Sequence, residues 1–286
     1  MSSSATSWPQ PPRAGDRHGG APVSPGVTRR AVLVGVLAMP WLVSCSRGTD
    51  KPAGVDLQDG TFSSRYWPGQ KVRWRLARPA HQGSATAPQP LVVALHGHGG
   101  DADWPFDSVH VERHIAATGL AVATVDGGDY YWHARRSGID TGRMVVHELL
   151  PLLSSKALAT DRIGLIGWSM GGYGALLMAS RLGPRRVAGV VGASAALWQA
   201  AGDSAPGAFD DRADFARNDV FAARGTLRAI PVRLDCGRDD PFIMANRALA
   251  RTLPSAAATF DAGAHTEEYW TSHAGAQLTW LRARLG

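Results

Sequence analysis

A serine with glycines two positions away on both sides, Gly167-Trp168-Ser169-Met170-Gly171, stands between an apolar run at 162–167 and a helical pattern at 170–182. Placed on a sharp strand-to-helix turn, such a serine has strained backbone angles, and side chains at the two glycine positions would collide across the turn. The following helix aims free amides and the positive end of its dipole at charge developing near the hydroxyl. That is the layout of a nucleophile that attacks a carbonyl. Without partners, the same residues are only a glycine-rich turn with a capping serine.

A serine hydroxyl attacks well only when a base takes its proton and a carboxylate orients the base. On strand–turn–helix nucleophiles the chain order is serine, acid, histidine. Two histidines follow Ser169. His265 lies in a loop between the strand-like Ala258-Thr259-Phe260 and the last helical stretch, whereas His273 falls inside that stretch, so His265 is the expected base. The acid is sought in Gly237-Arg238-Asp239-Asp240-Pro241, since Asp235 belongs to the strand before it. Local sequence leaves Asp239 and Asp240 open, because one of them can cap the helix that Pro241 begins.

An anionic tetrahedral intermediate needs two amides aimed at its oxygen. Met170 supplies one, and the glycine-rich Leu95-His96-Gly97-His98-Gly99-Gly100 supplies the other at His98. His96, His98 and Asp101 also invite a metal reading, but they lack a matching carboxylate cluster, and the chemistry needs neither metal nor cofactor. His110 and His114 lie one helical turn apart with Glu112 misplaced for a zinc motif. Tyr131 and Trp132, with Trp168 beside the serine, are expected to wall the substrate pocket, and Arg135 and Arg136 stand nearby.

These residues need strands whose ends converge. Apolar runs at 91–95, 120–125, 162–167, 187–192 and 231–236, with an alternating run at 70–77, are separated by helical patterns at about 107–118, 142–155, 170–182, 241–253 and 267–284. Alternation of this kind predicts an α/β fold with one doubly wound, mostly parallel sheet in a single domain. Ligands of such sheets sit at the carboxyl ends of the strands, so chemistry is sought in the loops after residues 95, 125, 168, 236 and 262.

The 286 residues are 44% hydrophobic, with two cysteines and a net charge of +6. This composition excludes a disordered chain and a disulfide scaffold. Residues 31–44 form an apolar run too short to span a membrane, broken by Pro40 and preceded by Arg29-Arg30. Basic pair, apolar run and small residues together read as an export signal over 1–44. Thr28-Arg29-Arg30 resembles a twin-arginine signal, and Leu42-Val43-Ser44-Cys45 resembles a lipobox that would lipidate Cys45 and anchor the protein to a membrane. Translation from Val27 would account for the 26 residues ahead of the signal. Removing 1–44 leaves 242 residues with 26 basic and 23 acidic groups, hence +3 and no basic block for nucleic acid. Residues 45–60 read as a flexible tether and 61–286 as the domain.

Four motifs, LVVALHGHGG, GWSMGGYGAL, LDCGRDDPF and GAHTEEYW, in this order over about 61–286, resemble the putative-esterase branch of the α/β-hydrolase superfamily. That branch includes S-formylglutathione hydrolases, feruloyl esterases and mycolyltransferase antigens. The resemblance implies an α/β-hydrolase-type sheet and a carboxylic ester hydrolase acting on a small-molecule or lipid ester. It places the acid at Asp240 and the histidine at His265. It also allows two alternatives: acyl transfer to a lipid or sugar hydroxyl, and a non-catalytic surface-binding module with a damaged triad. No G-x-G-x-x-G follows the first central strand, which excludes a dehydrogenase of the dinucleotide-binding type.

Overall fold

Short runs of Val, Leu, Ile and Ala with almost no polar atoms form the centre of a sheet buried on both faces, as parallel strands require. The computed structural model describes residues 53–80 and 88–286. The segment expected to be a signal, 1–44, and Cys45, the expected lipid site, lie outside the described residues.

Eight strands form one sheet in the order β1-β2-β4-β3-β5-β6-β7-β8. They are β1 (Val55–Ser63), β2 (Lys71–Pro79), β3 (Gln89–Leu95), β4 (Ala121–Val125), β5 (Leu158–Trp168), β6 (Val187–Ala193), β7 (Val232–Asp235) and β8 (Ala257–Thr259). The β1–β2 and β2–β4 pairings are antiparallel, and all pairings from β4 through β8 are parallel. The helices are α1 (Trp104–Asp107), α2 (Ile115–Thr118), α3 (Thr141–Met144), α4 (Leu150–Ser154), α5 (Met170–Leu182), α6 (Arg212–Arg217), α7 (Arg224–Leu227), α8 (Ile243–Thr252) and α9 (Glu267–Leu285). One apolar layer joins α3, α4 and α5 to one face of the sheet through Leu95, Leu165, Leu176 and Val190. The other joins α9 and the α1–α2 region to the opposite face through Val92, Ile166, Val191 and Leu281. Each fully buried Leu or Ile in these layers contributes about 1.5–3 kcal/mol.

Three local readings need correction. Residues 55–60, expected in the tether, form most of β1, with Val55 buried and Asp59 exposed. An edge strand turns one face to water, so its sequence is polar enough to pass for a linker. The helix expected over 107–118 is broken: His110 adopts a left-handed φ of 59°, and a 3₁₀ turn at Val111–His114 leads into α2. The helix at 142–155 carries a π-turn, Val145–Leu149, between α3 and α4. Pro151 lacks the N–H that would bond the His147 carbonyl in α register, which favours such a widening.

Candidate active site

Ser169 occupies the turn between β5 and α5 at φ 54° and ψ −116°, a left-handed backbone costly for any residue but glycine. Its amide donates to the Ala193 carbonyl at 3.0 Å, which fixes the turn against the end of β6. The flanking glycines have a steric reason. A Cβ on Gly167 would lie 2.1 Å from the Gly171 carbonyl oxygen, and one on Gly171 would lie 1.9 Å from that of Leu95.

Two loops bring side chains into hydrogen-bond distance in a chain that ends on this hydroxyl. His265 Nε2 is 2.9 Å from Ser169 Oγ, and His265 Nδ1 is 2.8 Å from Asp240 Oδ2. Asp240 is buried, and its Oδ1 accepts the Phe242 amide at 2.8 Å. Asp239 is exposed, with its amide on the Gly263 carbonyl, so Asp240 is the aspartate that meets His265. Asp235 is buried elsewhere, between Arg233 and Gln277. His273 lies within α9 and contacts Asp261 and the Tyr269 carbonyl. Burial works against Asp261, yet the Tyr269 hydroxyl and His273 hold its carboxyl below the usual range.

The glycine-rich loop after β3 lies against the serine turn. A Cβ on Gly97 would stand 3.4 Å from the Trp168 carbonyl oxygen and 3.6 Å from Ser169 Cβ. Met170 opens α5, so its amide has no intrahelical acceptor. The His98 side chain is exposed, 3.6 Å from Asp129, and Asp129 also accepts the Gly99 amide. His96 is buried behind the loop. Its Nε2 accepts the Gly127 amide at 2.9 Å, so Nδ1 carries the proton and donates to the Gly97 carbonyl at 2.7 Å. Burial holds its pKa below the ordinary histidine value. Among the described residues there is no group of three or more His, Cys, Asp or Glu side chains that could hold a metal.

The expected pocket walls are all buried. Tyr131 is 5% exposed, its ring neighbours His98 at 6.3 Å and Trp198 at 5.9 Å, and burial pushes its hydroxyl up to about 12. Trp132 does not form an open wall. It is 1% exposed, its ring packs over Gly127 and Gly174, and it meets the His96 ring at 5.0 Å. Trp168 is fully buried in the opposite layer against Trp104, because the last strand residue points to the other face of the sheet. Arg135 and Arg136 pair with Asp210 and Asp211.

Sequence reasoning missed Trp198 and Phe242. Ring contacts run from His98 through Tyr131, Trp198 and Phe242 to His265, and so join the loop after β3 to the histidine. Trp198 follows β6, the one central strand end left out of the search, and Phe242 follows Asp240-Pro241 directly.

A family model described as "Putative esterase" matches residues 66–281. Three solved structures share the fold. A ferulic acid esterase has 20% identity and a TM-score of 0.69, covering 80% of this chain and 97% of that one. The fluorophosphonate-binding serine hydrolase F of Staphylococcus aureus has 18% identity and a TM-score of 0.69, covering 80% and 98%. An S-formylglutathione hydrolase from Agrobacterium tumefaciens has 19% identity and a TM-score of 0.67, covering 82% and 96%. No curated protein matches the chain in sequence.

Proposed function

Because the chain belongs to this esterase family and is thereby a carboxylic ester hydrolase, we propose that it works through an acyl-enzyme on Ser169. His265 Nε2 takes the Ser169 proton as Oγ bonds to the ester carbonyl carbon. Asp240 keeps the proton of His265 on Nδ1 and favours the imidazolium that forms. The amides of His98 and Met170 stabilise the oxyanion. Collapse breaks the ester C–O bond, and His265 returns its proton to the departing alcohol. Water, deprotonated by the same histidine, then attacks the acyl-enzyme and releases the acid. The observation that carries this reading is the continuous pair of hydrogen-bond distances, 2.8 and 2.9 Å, from Asp240 through His265 to Ser169.

Hydrolysis of short p-nitrophenyl esters by the Ser169→Ala variant tests it. Activity should fall to background, and wild-type activity would refute the mechanism. The substrate class is a small-molecule ester, which the esterase family supports. Export, with Cys45 as a lipid anchor, belongs to the same proposal and rests on the Arg29-Arg30 signal and the lipobox. Mass spectrometry of the mature N-terminus checks it: an unmodified or retained Cys45 peptide would rule out the anchor.

A further inference from the structure

Ser169, Asp240 and His265 come from three separate strand-end loops, so something must hold those loops in register. Ser194, the first residue after β6, bonds to the end of β7 and to α9, the helix that follows His265. Its amide donates to the Asp235 carbonyl at 2.7 Å, at the end of the strand that leads to Asp240. The carbonyl of its neighbour Ala193 accepts the Ser169 amide. Its hydroxyl accepts the Trp270 indole N–H at 2.9 Å. Trp270 in turn lies 4.9 Å from the His265 ring centre at an interplanar angle of 86°, with Trp104 on it at 5.5 Å.

Ser194 is fully buried, and it is held at φ 47°, a left-handed conformation that disfavours a side chain. A non-glycine residue in that region persists only where its surroundings over-determine it. Here the side chain has an evident use, since glycine would have no hydroxyl for the buried indole N–H.

We propose that Ser194 and Trp270 are positioning residues for the reaction, fixing the rotation of the His265 ring so that Nε2 points at Ser169 Oγ. The inference rests on the reading of His265 as the base. The hydroxyl ties the indole to the two strands that carry the nucleophile and the acid, and the indole presents a rigid edge-to-face neighbour to the imidazole. Neither residue touches the ester, so their loss acts on the chemical step rather than on substrate binding.

Ser194→Gly relieves the left-handed strain while removing the acceptor, which offsets part of any loss of stability. Trp270→Phe keeps an aromatic neighbour but removes the donor. In the full chain, both variants should lower kcat about ten-fold with KM within about two-fold of wild type, and the double variant should lose no more than the worse single one. A downfield proton resonance of His265 Nδ1–H, identified by its disappearance in Asp240→Asn, should shift or broaden in both. Two folded variants with kcat within about two-fold of wild type and an unchanged resonance overturn the proposal, as does a loss confined to KM. The resonance is read without turnover. An active Ser169→Ala enzyme would therefore sink the acyl-enzyme mechanism without deciding the role of Ser194.

Discussion

Gly167 and Gly171 face each other across the turn that carries Ser169, with room for a hydrogen but not a methyl: a Cβ on Gly167 would lie 2.1 Å from the Gly171 carbonyl oxygen. The clash is with backbone on a short, doubly anchored turn, which cannot give way as a flexible side chain could. Gly167→Ala should therefore cost about 3 kcal/mol of stability and abolish ester hydrolysis. Urea unfolding and a p-nitrophenyl acetate assay measure the two effects. A wild-type unfolding midpoint would contradict the steric account.

The two adjacent aspartates should behave very differently. Asp240→Asn replaces the acceptor of His265 Nδ1–H with an amide and favours the wrong tautomer, so kcat should fall roughly 10³–10⁴-fold. Asp239 is exposed and lacks this contact, so Asp239→Asn should leave kcat within about two-fold. Steady-state kinetics of the pair separates the assignments, and equal losses would refute Asp240 as the orienting acid.

His96 makes the fold acid-sensitive. Burial lowers its folded pKa below the ordinary 6.5, and protonation of Nε2 would displace the Gly127 amide. As pH falls through 6.5 the unfolded chain therefore takes up a proton before the folded one does. The contribution is present above that value and is lost as pH drops from there toward the folded pKa. Unfolding free energies of the wild type across this window should fall with acid more steeply than those of His96→Gln. Parallel curves would show that His96 is not the group responsible.

Arg135 secures one side of the site. It donates to Asp210 through Nε and Nη2 at 3.2 and 2.9 Å and to the Gly207 carbonyl at 2.9 Å. Burial opposes ionisation of Asp210, but this guanidinium holds its carboxyl below the usual range. The tethered segment carries Phe209, whose ring neighbours Tyr131 and Trp198. Arg135→Ala should destabilise the fold by about 1–3 kcal/mol and raise KM for longer acyl chains more than for acetate. An acyl-length series measures the second effect, and a uniform change across lengths would count against a wall held by Arg135.

The chemistry-bearing pattern was legible because much of it is local. A glycine–serine–glycine spacing between an apolar run and a helix constrains the backbone within five residues. The alternation of apolar and helical segments was enough to specify a doubly wound sheet. The start of β1 was hidden, since a half-exposed edge strand and a polar linker have similar compositions. The π-turn at Val145–Leu149 was hidden by helical periodicity that hardly changes when one turn widens.

The sequence by itself determined the strand–turn–helix setting of Ser169, the family resemblance and the order in which serine, aspartate and histidine follow one another. Local sequence left Asp239 and Asp240 open and only the resemblance pointed to Asp240, which the structure brings to His265. Tertiary structure alone decided that Trp168 and Trp132 fill the interior and that Trp198 and Phe242 border the site. The reason is physical. Backbone strain and hydrophobic period act over a few residues and leave their mark on composition. The direction of a side chain at a strand end depends on pairing with strands tens of residues away, as Ser169 Oγ and His265 Nε2 meet across 96 positions.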